Sequence, residues 1–448
     1  MEDILIKGSQ FLLSLSILVI LHEFGHFIPA KLFKTRVEKF YLFFDWKFSL
    51  FKFNMRGTEY GIGWIPLGGY VKISGMIDES MDTDQMKTPP QPWEFRSKPA
   101  WQRLIIMLGG VTVNFLLAMV IYSAVLFVWG EKYLPNENLT GGIWVRDSLA
   151  MDMGFRNGDK IVDINGKRIE RFSEIMPEMI YGGSVKVLRE SGEEEFIDIP
   201  KDFIEQLVDK ESRLLFIYRM PFLVSELPAE SHNLNSGLQT KDIIVGINGK
   251  EVLYWDQYEK ELAEVAGQRV ELNVRRGDEK LVVQADVNEH GKIGVGFAGT
   301  SLIDLDKLGF YKLETNKFGL LESIPAGIGL AYDRFSSYLR QLKLIFNPST
   351  GAYKGVGGFA AIGNLFPAEW NWQIFWEMTA FLSIMLGVLN LLPIPALDGG
   401  HVMFTLYEIV SGRKPSDKFL EYAQMIGLVL LLSLFVFANG NDLFKAFK

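Results

Sequence analysis

Apolar residues gather in four long runs: Ile4 to Phe33, Leu104 to Trp129, Ile374 to Leu397 and Tyr422 to Ala438. The second holds no charged residue and is long enough to cross roughly 30 Å of hydrocarbon as a helix. The first carries Lys7 near its start and His22, Glu23 and His26 in its second half, which puts polar atoms at membrane depth. A cleaved signal peptide is the alternative for this segment, but it lacks a small-residue cleavage site and places a glutamate in the apolar region. Lys and Arg cluster between Lys31 and Arg103 and again at Arg413, Lys414 and Lys418, so both loops are expected in the cytoplasm. Four spans then place both termini, and the stretch from about Glu131 to Gln373, across the membrane.

That long stretch has its own pattern. The segment GFRNGDKIVDINGK from Gly154 to Lys167 returns from Gly237 to Lys250 as GLQTKDIIVGINGK, an internal repeat. Each copy predicts an alternating strand, an Asn-Gly turn and a second short strand. A helical stretch and a closing hairpin follow, around Ser191-Gly192 in the first copy and Gly277-Asp278 in the second. The pattern resembles a tandem of PDZ domains. Lys241 stands in the second copy where the signature has glycine, which leaves that loop's geometry open.

Composition adds limits. A chain of 448 residues exceeds one ordinary core, and 34 Phe and 10 Trp beside 22% charged residues suggest soluble parts joined to membrane parts. With no cysteine there is no disulfide, thiolate metal site or cysteine nucleophile, so any metal sits on nitrogen and oxygen. A formal net charge of −8 without a basic stripe gives no reason to expect nucleic-acid binding.

The chemistry concentrates in His22-Glu23-Phe24-Gly25-His26. On a helix this H-E-x-x-H pentad sets two imidazoles one turn apart on a single face, with the glutamate beside them. A glutamate deep in an apolar helix costs about 2.5 to 3.5 kcal/mol on insertion scales, and a metal or bound water is the natural compensation. Catalytic zinc usually has three protein ligands and one open position, so one ligand is missing. Asp398 is the candidate: Asn390-Leu-Leu-Pro393-Ile-Pro395-Ala-Leu-Asp398-Gly-Gly-His401 breaks the third span with prolines and offers a carboxylate at similar depth. His401 is a rival ligand, and surface helix capping is the alternative role for Asp398.

An H-E-x-x-H in the first span combined with N-x-x-P-x-P-x-L-D-G in a later one resembles the site-2 protease family of intramembrane metalloproteases. Two PDZ-like domains between the second and third of four spans are similar to its bacterial sigma-E-regulating branch. The resemblance covers essentially the whole chain. It implies that His22, His26 and Asp398 bind Zn2+, that Glu23 is the base, and that Asn390, Pro393 and Pro395 shape and hold the substrate. Gly61 to Gly75 resembles the family's membrane re-entrant β hairpin, with Gly68, Gly69 and Tyr70 matching its motif and adding to the substrate site. Two departures stand out: Gly109-Gly110 precedes Asn114 where the family often has Gly-Pro, and Gly357-Gly358 replaces a Gly-Pro turn.

The expected fold is thus a polytopic α-helical membrane protein of four transmembrane helices and a re-entrant β hairpin, with two inserted β-rich PDZ-like domains. Residues 1–33, 100–130, 374–400 and 422–448 carry the spans, and 34–99 and 401–421 the cytoplasmic segments. The PDZ-like domains occupy 131–219 and 220–300, and an amphipathic periplasmic connector 301–373. The resemblance implies a bacterial inner-membrane enzyme with its active site toward the cytoplasm. Its implied substrates are single-pass membrane proteins in the lipid bilayer, such as anti-sigma factors or remnant signal peptides. Two other classes compete: a non-catalytic membrane scaffold built on the PDZ pair, and a transporter, for which four spans without inverted repeats offer little pathway.

Overall fold

Continuous apolar sequence forms helices wherever backbone groups must satisfy one another away from water. The computed structural model describes residues 2–76, 88–209, 214–297 and 299–447. Among them, α1 (Glu2–Leu32), α2 (Ala100–Trp129), α5 (Trp372–Leu391) and α7 (Asp417–Phe447) each contain a segment long and apolar enough to cross a membrane. Three more helices share their unit: α3 (Leu320–Ile345), α4 (Phe359–Gly363) and α6 (Asp398–Ser411). Ala118, Ile121, Tyr122 and Val125 of α2 pack with Ala331, Tyr338 and Leu342 of α3 and with Ala380, Ile384 and Val388 of α5. Only 11% of the apolar window of α7 is buried, against 39% in α2 and 44% in α5, so α2 and α5 are central and α7 is peripheral.

Two boundaries differ from the sequence expectation. The third span ends at Leu391 rather than near residue 400, because Pro393 cannot continue the helix. Asp398 instead opens α6, which fills much of the segment 401–421 expected as a loop. The Arg103 guanidinium on α2 holds Glu408 of α6 at 2.5 Å and ties that helix down.

Between α1 and α2 lies a four-stranded sheet of β1 (Val37–Phe44), β2 (Phe51–Met55), β3 (Thr58–Ile62) and β4 (Ile65–Ile73), in the order β2-β3-β1-β4. Residues 61–75 are therefore not a two-stranded hairpin. β3 runs parallel to β1 on one side and β4 antiparallel to it on the other. The link crosses the end of β1, where the Gly63 and Trp64 amides donate to the Leu42 and Phe44 carbonyls. Of the segment 34–99, residues 77–87 lie outside the described residues. Val37 and Ile73 join Ala30 of α1 and Ile106 and Met107 of α2 in one buried cluster.

A second unit comprises residues 131–316 and 347–354. The repeat is visible in its details. Asp159 accepts from the Arg156 amide at 2.7 Å and from Arg189 at 2.5 Å; Asp242 accepts from the Gln239 amide at 2.8 Å and from Arg276 at 2.7 Å. Asn165 and Asn248 both have positive φ, and each side chain caps the amide of a facing strand, Ser184 or Glu271, at 2.9 Å. Lys241 adopts φ +71°, close to the +90° of Gly158 at the matching position, so the second loop keeps its shape without the glycine. Strands Lys160–Ile164, Gly183–Leu188 and Glu194–Ile199 pair in the first copy as Ile243–Ile247, Arg269–Arg276 and Glu279–Asp286 do in the second.

Candidate metal centre

Four-residue spacing on α1 brings His22 and His26 onto one face, with ring centroids 4.8 Å apart. That face meets α2 at Gly110. A methyl group added there would strike His26 Nε2 and lie 2.6 Å from His22 Cε1, so a bare backbone makes room for both rings. Just beside it Gly25 and Gly109 face each other with no space for a side chain on either. This contact brings the second span close against the first without the proline that the family often has there.

The third group arrives from the loop after α5. Ala396 sits at φ +75°, and its amide donates to Gln424 of α7 at 3.1 Å. Added side chains at Gly399 and Gly400 would collide with the carbonyls of Leu392 and Ile394, which accounts for the paired glycines. Asp398 then begins α6, where the helix N-terminus favours a negative charge. Its side chain is 14% exposed, so it is no surface cap.

Among the described residues, His22, His26 and Asp398 form the one group of three side chains placed to hold a metal; His401 is outside it. His22 Nε2 and His26 Nε2 are 3.2 Å apart, and Asp398 Oδ2 lies 3.3 Å from each. Donors about 2.0 to 2.1 Å from zinc at tetrahedral angles stand about 3.3 to 3.4 Å from one another. Asp398 Oδ2 is also buried without a hydrogen-bond partner despite its two close neighbours. Two nitrogens and one carboxylate oxygen at these separations fit zinc and leave a fourth position open.

Glu23 lies beside the pair, its carboxylate near the Val71 backbone of β4. A cavity of about 810 Å³ holds all four of these residues together with Asn390, Gly68, Gly69 and Tyr70. Pro393 and Pro395 do not line it; they shape the loop, and Pro395 packs against Gly427 of α7. Asn390 also lies beside the metal group, its Nδ2 being 3.2 Å from His22 Nε2. Sequence reasoning gave no role to Asn114, whose Nδ2 lies 3.0 Å from His22 Nδ1, or to Gln424. Both are amides inside apolar spans, and that costly placement is the signal that marks them.

The profile of Peptidase family M50 matches residues 10–434. A "Putative zinc metalloprotease" of Vibrio cholerae is 28% identical over 99% of both chains. A "Regulator of sigma E protease" of Haemophilus influenzae is 28% identical over 97% of this chain and 98% of its own. A "Protease RseP" of Yersinia pestis is 28% identical over 99% of each.

Proposed function

Since this chain belongs to peptidase family M50, the site-2 protease family of zinc metalloendopeptidases, we propose that it cuts peptide bonds within membrane-spanning segments of single-pass proteins at the His22, His26 and Asp398 centre. Family membership sets aside the non-catalytic scaffold. The observation that carries the reading is the convergence of three donor atoms in a cavity whose wall includes β4, an edge strand among the described residues. His22, His26 and Asp398 hold the zinc, which supplies the Lewis acidity that lowers the pKa of water and polarises a carbonyl. Glu23 takes the proton from the attacking water and returns it to the leaving amine.

A membrane helix hides its carbonyls in its own hydrogen bonds, so a substrate must unwind before attack. Among the described residues β4 is an edge strand, and such an edge accepts an extended chain through its backbone groups. Gly69 has no side chain to keep α1 away: a methyl there would meet Val19 Cγ1 at 2.5 Å and the Tyr41 carbonyl at 2.7 Å. In this reading Gly68, Gly69 and Tyr70 hold the unwound segment while Asn390 bonds to it and Pro393 and Pro395 fix the loop. Residues 131–219 and 220–300 act as PDZ-like domains in the periplasm, and residues 61–75 re-enter the membrane from the cytoplasmic side. The kinship with a protein named as a regulator of sigma E protease favours an anti-sigma factor as substrate, with remnant signal peptides as the second class in this reading.

Glu23→Gln tests the site. The variant should keep its zinc while cleavage of a single-span model substrate falls by about 10² to 10⁴. Undiminished turnover would show that another group is the base.

A further inference from the structure

Resting on that metal site, we infer that Asn114 is a positioning residue that fixes the tautomer of His22, turning the Nε2 lone pair toward the zinc. A neutral imidazole carries one N–H and one acceptor nitrogen. Yet His22 faces an amide group at each: Asn114 Nδ2 at 3.0 Å from Nδ1 and Asn390 Nδ2 at 3.2 Å from Nε2. It cannot accept at both, so one amide presents its oxygen. The two ends of an amide have the same shape, and Asn114 Oδ1 is buried with no partner. Turning the Asn114 amide over satisfies the ring: Nδ1–H donates to Oδ1, and Nε2 is left as the acceptor that faces His26 Nε2 and Asp398 Oδ2.

The other ligand receives the same service from the same helix. His26 Nδ1 lies 2.8 Å from the Ile106 carbonyl, which can only accept, so its proton is on Nδ1 and its Nε2 is also free. Ile106, Gly110 and Asn114 follow at four-residue intervals along one face of α2, all buried. They offer a carbonyl for one ring, room for both, and an amide for the other. Partners of this kind orient the ring and raise its basicity toward the metal. The Asn114 side chain is the part of this cradle that mutation can change without rebuilding the helix.

The test is zinc affinity, by chelator competition, of the full-length protein in detergent. Asn114→Leu should bind zinc about 10- to 100-fold more weakly, and Asn114→Asp, whose carboxylate can only accept, should restore wild-type affinity. Nitrogen NMR of labelled histidine in the zinc-loaded wild type should show His22 protonated at Nδ1, a readout independent of whether any variant folds. Unchanged affinity in Asn114→Leu, an Asn114→Asp variant as weak as Asn114→Leu, or a proton-free Nδ1 would each overturn the inference. Wild-type affinity in His22→Ala would overturn the metal site itself, and this inference with it.

Discussion

At the scale of single residues, two backbone positions show how a missing or misplaced Cβ decides function. Gly110 is the floor on which both imidazoles rest. Gly110→Ala improves helix propensity but drives a methyl into His26, so zinc affinity should fall at least about tenfold while helix content by circular dichroism is unchanged. Equal affinity would mean that the rings have slack. Lys241 illustrates the opposite trade, since a side chain at φ +71° costs on the order of 1 kcal/mol. Lys241→Gly should raise hydrogen-exchange protection of the strand Ile243–Ile247, and Gly158→Ala should lower that of Lys160–Ile164, because its Cβ would meet Glu190 at 2.5 Å. Matching shifts of one sign at both positions would refute this account.

At the scale of elements, the closest approach of α1 and α2 is made by glycine, Gly25 against Gly109, rather than by large apolar side chains. In lipid there is no hydrophobic drive to bring helices together, so small residues that allow close backbones take over. Gly25 lies between His22 and His26 in sequence, so its fit against Gly109 sets the depth at which both rings meet α2. Gly109→Val should separate the helices and abolish zinc binding together with cleavage, whereas a valine at Gly8, which has open space around it, should do neither. Measuring bound zinc in both purified variants decides the point.

The molecule as a whole joins an apolar helical unit to a β-rich unit with two buried cores of its own, and the Lys and Arg bias predicts which side of the membrane each loop faces. Reporter fusions at Arg56 should give cytoplasmic signals and those at Ser191 periplasmic ones; the reverse would invert the topology. Zinc that binds the folded chain alone adds stability with the logarithm of its free concentration. Stripping the metal should therefore lower the thermal midpoint and restoring zinc should recover it, while Asp398→Ala should melt at the same temperature with or without zinc. A zinc-dependent midpoint in that variant would place the metal elsewhere.

Much of this was legible in the sequence, and what was legible was local. Span-length apolar runs, the one-turn spacing of His22 and His26, the proline break before Asp398 and the repeat of Gly154 to Lys167 follow from periods of a few residues, which the chain displays without folding. Tertiary structure decided the rest. β3 and β4 are neighbours in sequence, yet both chose β1 as partner, because pairing is set by what a strand can bury and not by the nearest turn. Asp398, Asn114 and Asn390 come from three different segments to meet one histidine ring, and no local period encodes such a meeting. It depends on two glycines letting α1 and α2 approach and on a left-handed Ala396 turning the loop, that is, on packing at distances that the sequence states only as small residues in apolar helices.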